Sequence, residues 1–179
     1  IMTASEVVKS PGIPDSVDVI KKIKEKGISV ISEVEFAYRF TNAKIVAITG
    51  SNGKTTTTLL VGHILEKAGY NVLVAGNIGT GFAKSISERD YDYIVLELSS
   101  FQLDGIKDFK ADIAILLNIT PDHLDRYENC FENYIKSKLQ IGFEINFFLF
   151  GWITFEKLSF SMNFLSFFQV TPYGGFAIM

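Results

Sequence analysis

Apolar residues follow two patterns along this chain, short unbroken runs and longer stretches with helical spacing. The unbroken runs are rich in β-branched residues and predict four strands, at Lys44 to Thr49, Asn71 to Ala75, Tyr93 to Glu97 and Asp112 to Leu117. Near-continuous apolar runs are typical of parallel strands buried on both faces. Because helical stretches alternate with these runs, residues 44–140 predict an α/β domain with a doubly wound, mostly parallel sheet.

The helix predicted after the first strand carries its apolar residues on one face. Five residues share this stripe, which ends at Gly69; they are Leu60, Val61, Ile64, Leu65 and Ala68. We expect the stripe to pack against the sheet. His63 falls off the stripe and is predicted to lie on the surface.

Residues 1–43 are predicted to be the end of a preceding domain and a linker. The pattern gives a turn at Ser10 to Pro14, a helix from Asp15 to Lys26, a strand from Ile28 to Ile31 and a helix ending at Phe40. Ser32 and Glu35 have the spacing of a capping box at the start of the second helix.

The first strand runs directly into a glycine loop that opens a helix. The loop consists of Gly50, Ser51, Asn52, Gly53, Lys54, Thr55 and Thr56. Its glycines let backbone N–H groups converge on a phosphate, Lys54 can meet the β- and γ-phosphates, and the Thr55 hydroxyl can hold Mg²⁺. Ile48 stands where the longer form of this motif has a glycine, so a simple turn with a solvated lysine is the structural alternative.

Polar residues follow three of the predicted strands at the edge where ligands gather in such sheets. Glu97 ends its strand, Asn77 lies in a glycine-flanked turn, and the segment after the fourth strand brings together Asp122, His123 and Asp125. Oxygen ligands with one imidazole suit Mg²⁺ or Mn²⁺ better than structural zinc. The structural alternatives are a helix cap for Asp122, a turn residue for His123 and a solvated strand end for Glu97.

Lys138 lies on an apolar stripe of the helix predicted over Glu128 to Gln140, together with Phe131, Tyr134 and Ile135. One interpretation is a lysine whose stem packs on the core while its ammonium group reaches water. The other is an amine that points into the site and has a lowered pKa.

Composition restricts the possible partners. The net charge is −3, no basic block is present, and Cys130 is the only cysteine. These observations argue against nucleic-acid binding and a disulfide framework, and they suit the cytoplasm. No signal peptide is recognised at the start of the chain.

The composition changes at Ile141. Ten of the sixteen phenylalanines lie in residues 141–179, whose only charged residues are Glu144, Glu156 and Lys157. A membrane segment from Leu158 and an aggregation-prone soluble segment are two interpretations. We favour a third, an out-of-frame tail.

Four segments together resemble the ATP-dependent Mur ligases of bacterial peptidoglycan synthesis. They are Gly50 to Thr56, Gly76 to Gly79, Leu96 to Leu103 and Asn118 to Tyr127. The resemblance covers roughly residues 7–139 and implies the central ATP-binding domain of such a ligase, preceded by a remnant of a Rossmann-like UDP-binding domain. The tail does not take part in it.

The resemblance implies a reaction in which ATP phosphorylates the carboxylate of UDP-N-acetylmuramoyl-L-alanine and the amine of D-glutamate attacks the acyl phosphate. It implies that Lys54 holds the phosphates of ATP and that Thr55 and Glu97 hold one Mg²⁺. It further implies that His123 and a carbamylated Lys138 bind a second metal ion.

The resemblance also implies that Asn77 binds the muramyl substrate and that Ser10 and Gly12 contact its diphosphate. The expected protein is a cytoplasmic monomer with no nucleic-acid or membrane partner. A truncated, non-catalytic nucleotide-binding fragment is the alternative function.

Overall fold

Five parallel strands form the central sheet, and a two-stranded parallel sheet precedes it. The computed structural model describes residues 3–142 in full and the backbone of 147–153, 168–170 and 176–178. The strands are β1 Glu6–Lys9, β2 Ser29–Ser32, β3 Lys44–Thr49, β4 Val72–Gly76, β5 Tyr93–Glu97, β6 Ile113–Ile119, β7 Phe147–Ile153, β8 Phe168–Val170 and β9 Phe176–Ile178. The helices are α1 Asp18–Glu25, α2 Glu33–Tyr38, α3 Lys54–Lys67, α4 Phe82–Glu88, α5 Ser100–Leu103 and α6 Phe131–Leu139.

The order of strands in the central sheet is β4-β5-β3-β6-β7, and every neighbouring pair is parallel. This arrangement confirms the predicted parallel α/β fold. After β3 the chain continues to β4, which lies to one side of β3 in the strand order, whereas β6 lies on the other side of β3. The carboxyl ends of β3 and β6 therefore flank a topological switch point, where parallel sheets bind ligands.

Apolar side chains cover both faces of the sheet. One face carries the larger core, to which α2, α4 and α6 contribute Val34, Phe82 and Tyr134. The other face carries a smaller cluster that includes Val46 and Val95 and lies under α3. Burial on both faces explains why the strands have unbroken apolar runs.

The predicted apolar stripe of α3 is partly wrong. Leu60 and Ile64 are 55% and 56% exposed, while Val61 and Leu65 pack against the smaller cluster. The buried residue between them in the helix is Gly62, where an added Cβ would lie only 2.5 Å from Val74 Cγ2. The close approach of Gly62 to Val74 thus sets the rotation of α3 about its axis. Burial of the most apolar side chains does not.

The predicted capping box at the start of α2 is half correct. The Ser32 hydroxyl accepts a hydrogen bond from the Glu35 N–H. The Glu35 carboxylate does not return to Ser32, because its Oε2 atom accepts the N–H groups of Lys107, Asp108 and Phe109 at 2.8, 3.0 and 2.9 Å. The Ser32 N–H donates to the carbonyl of Gly105 instead. Glu35 therefore ties α2 to the loop before β6.

Strand β7 extends the central sheet beyond β6, with Ile113 opposite Phe147 and Ile119 opposite Ile153. Within the described residues, no helix has the length and apolar character needed to cross a bilayer. Most of the segment from Leu158 to Met179 lies outside the described residues, so the interpretations of that tail stay predictions. The domain boundaries after residues 43 and 140 also stay predictions.

Candidate active site

The phosphate loop leaves β3 at the switch point with two glycines in conformations that other residues rarely adopt. Gly50 has a φ of 153° and Gly53 a φ of 82°. A Cβ on Gly50 would lie 3.1 Å from Leu117 Cβ and 3.3 Å from the backbone of Asn118. Glycine at this position lets the loop pass directly over the end of β6.

Strand β6 holds this loop through three sets of hydrogen bonds. The Asn118 side chain accepts from the Asn52 N–H and donates to the Asn52 carbonyl, each at 2.9 Å. The Ser51 N–H donates to the Asn118 carbonyl, and the Ser51 hydroxyl donates to the Thr120 carbonyl at 2.8 Å. The loop is thus fixed before any ligand binds, which lowers the entropy cost of binding.

Lys54 is half-buried at the first position of α3. Its ammonium group donates to the carbonyls of Gly50 and Ser51, both at 2.9 Å. The lysine therefore folds back over the loop. The simple-turn alternative predicts instead that it extends into solvent. A phosphate at the helix N-terminus would meet this charge together with free N–H groups of the first turn. Thr56, the last predicted loop residue, is exposed within the first turn of the helix.

Glu97 lies at the end of β5, beside the loop, and is only 2% exposed. Its Oε2 atom accepts the hydroxyl of Thr55 at 2.7 Å, and its Oε1 atom accepts the side-chain amide of Asn77 at 2.9 Å. Gly76 lets the end of β4 lie close to Glu97, because a Cβ at Gly76 would lie 2.3 Å from the Glu97 carbonyl oxygen. The ends of β4 and β5 and the first turn of α3 thus place an amide, a carboxylate and a hydroxyl together.

The donor set around Glu97 fits Mg²⁺. A carboxylate and a hydroxyl whose oxygens already lie 2.7 Å apart supply two hard ligands, and Mg²⁺ is usually held by one or two protein oxygens together with phosphates and water. No group of three or more His, Cys, Asp or Glu side chains suited to a metal ion occurs in the described part of the chain. Two protein oxygens suit a metal ion whose remaining ligands are phosphates and water.

Lys138 points inward from α6 and is 2% exposed. Its ammonium group donates to the Thr49 hydroxyl at 3.1 Å and to the Gly50 carbonyl at 2.9 Å. The same carbonyl accepts Lys54, so two lysines converge on one oxygen. Of the two interpretations of Lys138, the structure supports the inward-pointing amine.

The pKa of Lys138 is lowered to about 7, first by burial and then by the positive charge of Lys54. Asp122, Asp104 and Glu97 act in the opposite direction. Near neutral pH, a large fraction of this amine is therefore unprotonated and nucleophilic.

His123 lies at the same edge of the sheet but is more exposed. Its side chain is 58% exposed, and its Nε2 atom lies 3.6 Å from Asp122 Oδ2. The imidazole ring packs near Phe101, with 5.4 Å between ring centroids. Asp125 is exposed in the turn that follows. Within the described part of the chain, the structure thus brings the carboxylate of Asp122, and not that of Asp125, close to the His123 ring.

The turn that contains Ser10 and Gly12 lies against the segment that follows β6. The Ile13 N–H donates to the Ser10 carbonyl at 3.0 Å and closes the turn. The guanidinium group of Arg126 donates to the Pro11 carbonyl at 3.3 Å. The two predicted diphosphate residues therefore lie near the segment that carries His123.

Tyr134, Asn118 and Thr120 are site residues whose roles the sequence did not reveal. Tyr134 lies on the predicted apolar stripe of its helix, but its hydroxyl lies 3.1 Å from the Ser51 hydroxyl. Asn118 and Thr120 belong to a predicted segment, and their contacts with the loop were not predicted. A polar atom at the tip of an aromatic residue on an apolar stripe is the one available signal.

The fold and the loop together define a parallel α/β domain with a glycine loop at its switch point, and comparisons with known proteins identify its family. A profile of the Mur ligase middle domain matches residues 48–150. The chain belongs to the Mur ligase family. The matched region extends past residue 140 and includes the first part of β7.

Curated relatives carry a more specific name. The chain is 58% identical over 141 residues to the UDP-N-acetylmuramoylalanine–D-glutamate ligase of Bacteroides fragilis, covering 79% of this chain and 32% of that protein. It is 61% identical over 143 residues to the enzyme of the same name from Cytophaga hutchinsonii, with the same coverage of 79% and 32%. The chain thus spans about a third of the length of the curated relatives it matches.

Solved structures support the fold. MurF from Acinetobacter baumannii superposes with a TM-score of 0.53 at 17% identity, covering 87% of this chain and 43% of that one. UDP-N-acetylmuramate-alanine ligase from Thermotoga maritima superposes with a TM-score of 0.51 at 23% identity, covering 82% and 35%.

Proposed function

We propose that the protein carrying this chain is an ATP-dependent ligase that joins D-glutamate to UDP-N-acetylmuramoyl-L-alanine in the cytoplasm. The observation that carries the proposal is the convergence of Lys54, Lys138 and the Thr55–Glu97 pair at one edge of the sheet. The high identity to ligases of that name supports the choice of substrates.

Transfer of a phosphoryl group between two anions requires positive charge at the phosphates. Lys54 would bind the phosphates of ATP, exchanging the loop carbonyls for phosphate oxygens. Thr55 and Glu97 would hold Mg²⁺, which supplies further neutralisation of phosphate charge when bound. The Glu97 carboxylate is held in place by Asn77, so its orientation does not depend on the ligand.

The acceptor substrate would bind beside the phosphate loop, where Asn77 contacts Glu97. Asn77 would contact the muramyl part, and Ser10 and Gly12 would contact the diphosphate through the turn beside Arg126. The carboxylate of the substrate would accept the phosphoryl group, and the amine of D-glutamate would then displace phosphate and form the amide.

Lys138 would act as a ligand for a second metal ion after carbamylation, together with His123. An unprotonated amine is the form that reacts with carbon dioxide, and its lowered pKa favours that form. A carbamate would turn a buried cation next to Lys54 into an anion, which removes the repulsion between the two ammonium groups.

The test is phosphate release from ATP by the protein that carries these residues, measured with both substrates and with each one omitted. Release that requires UDP-N-acetylmuramoyl-L-alanine and D-glutamate together supports the ligase. Retention of ATP without substrate-dependent release would instead identify a non-catalytic nucleotide-binding fragment.

Lys138→Ala is expected to abolish this release, and short carboxylates such as acetate are expected to restore part of it. The physical reason is that a free carboxylate can take the position of the carbamate. Lys136→Ala, which changes an exposed lysine of the same helix, is the control. Absence of any rescue would contradict the role of a carbamate.

A further inference from the structure

Tyr134 connects the phosphate loop to helix α6. The side chain is 1% exposed, and its hydroxyl lies 3.1 Å from the Ser51 hydroxyl. Its ring lies under Lys138, with 5.4 Å between the ring centroid and the ammonium nitrogen. One buried residue therefore contacts both the loop and a lysine of the site.

The direction of the hydrogen bond between the two hydroxyls follows from the partners of Ser51. The single Ser51 hydroxyl proton is donated to the Thr120 carbonyl at 2.8 Å. The same oxygen accepts the Thr120 N–H at 2.9 Å. Because a serine hydroxyl has one proton and two lone pairs, Tyr134 must be the donor.

The backbone next to this contact is where the two site lysines bind. The Gly50 carbonyl accepts Lys54 and Lys138, and the Ser51 carbonyl accepts Lys54. A shift of Ser51 would therefore move the acceptors of both ammonium groups. Tyr134 is placed to prevent that shift.

We propose that Tyr134 is a positioning residue that fixes the phosphate loop through the Ser51 hydroxyl and thereby sets the loop's affinity for nucleotide phosphates. The inference rests on the proposed function, because it takes the loop to be the site of ATP phosphates.

Tyr127 provides a matched control within the same aromatic cluster. It packs against Tyr134 at 5.5 Å between ring centroids. Its hydroxyl donates to Asp104 at 2.8 Å and contacts the Ser137 hydroxyl at 3.2 Å, so it is bonded as fully as Tyr134 but not to the loop. Comparing Tyr134→Phe with Tyr127→Phe therefore separates an effect on the loop from an effect on the packing of the aromatic cluster.

The experiment measures ATP affinity of the 179-residue chain by calorimetry, with adenosine as a second probe. Tyr134→Phe is expected to weaken ATP binding about three- to ten-fold, the loss typical of one buried hydrogen bond, without changing adenosine binding. Tyr127→Phe is expected to leave ATP affinity unchanged. In a double-mutant cycle, Ser51→Ala combined with Tyr134→Phe should bind ATP no more weakly than the weaker single variant.

Hydrogen exchange of the Ser51 amide decides the inference independently of ATP. We expect faster exchange in Tyr134→Phe than in Tyr127→Phe, because the loop loses a contact only in the first. Equal exchange and equal ATP affinity in the two variants, or strictly additive effects in the cycle, would overturn the inference. If the unchanged chain binds no ATP, the proposed function loses its support, and the exchange rates alone then decide whether Tyr134 fixes the loop.

Discussion

At the scale of single residues, Lys138 is the buried charge with the clearest consequences. Among the described residues, the Thr49 hydroxyl and the Gly50 carbonyl accept hydrogen bonds from it. Both are neutral acceptors, while Lys54 adds a second positive charge at the same carbonyl. Holding a protonated amine here costs free energy, which is why its pKa is lowered.

This pKa predicts a pH-dependent stability. The folded amine loses its proton near pH 7, whereas the ordinary lysine value is 10.5. Between these values the unfolded chain binds more protons, so the free energy of unfolding should rise with pH, by up to about 1.4 kcal/mol per unit. Urea unfolding of the wild type and Lys138→Met, in bicarbonate-free buffer, measures this slope.

Lys138→Met should lose most of that rise between about pH 7 and pH 9. The exposed Lys136, replaced in the same way, should keep it. A slope that is the same in Lys138→Met and the wild type would show that the buried amine does not titrate in this range.

How much of the site could be predicted depended on whether a residue's contacts are local. Helical spacing placed Lys138 on the buried face of α6, and the position of Glu97 at the carboxyl end of a strand placed it beside the loop. The contact between Tyr134 and Ser51 joins residues 83 positions apart. The contact depends on the distance between α6 and the end of β3. Residue spacing within one helix cannot predict that distance.

At the scale of elements, α3 shows how a glycine determines helix packing. The sequence predicted that Leu60 and Ile64 would be buried, since apolar spacing alone cannot detect a close approach. Gly62 reverses the outcome because it lets the helix contact Val74 directly. The helix exposes Leu60 and Ile64 and buries its smallest residue.

Gly62→Ala should therefore destabilise the chain by about 1–3 kcal/mol, although alanine is the better helix former. The added methyl group would collide with a β-branched side chain that has little freedom to move. Chemical denaturation measures the loss, and Val74→Ala in the same chain should recover part of it. The control is His63→Ala at the exposed neighbouring position; a Gly62→Ala variant as stable as this control would refute the proposed close contact.

The Glu35 carboxylate gives a second prediction at this scale. It is fully buried and accepts three consecutive backbone N–H groups. Glu35→Gln keeps the shape but removes the charge from these hydrogen bonds, so the unfolding free energy should fall by about 1–3 kcal/mol. Amide exchange at Lys107 to Phe109 should accelerate.

The exposed Glu25, changed to glutamine on α1, should affect neither stability nor exchange. If Glu35→Gln leaves the three amides equally protected, the carboxylate does not hold this loop. The sequence suggested a capping box here because it shows the spacing of Ser32 and Glu35 but not the distant N–H groups that compete for the carboxylate.

At the scale of the whole molecule, the fold was predictable because its strands are buried on both faces. The unbroken runs identified β3 and β5 with the observed bounds, and β4 and β6 within two residues. The strand that pairs with the outer edge of β6, which is β7, could not be predicted in the same way. Residues 147–153 looked like part of a foreign tail, yet they pair with β6 along its length.

The central claim is that the loop from Gly50 to Thr56 binds nucleotide phosphates and that Lys54 supplies the charge. The most direct measurement is ATP binding by this chain in the presence of Mg²⁺, compared between the wild type, Lys54→Ala and Lys67→Ala, which removes an exposed lysine at the other end of α3. We predict that the wild type and Lys67→Ala bind ATP and that Lys54→Ala does not. Equal binding by all three proteins, or none by the wild type, would contradict the account.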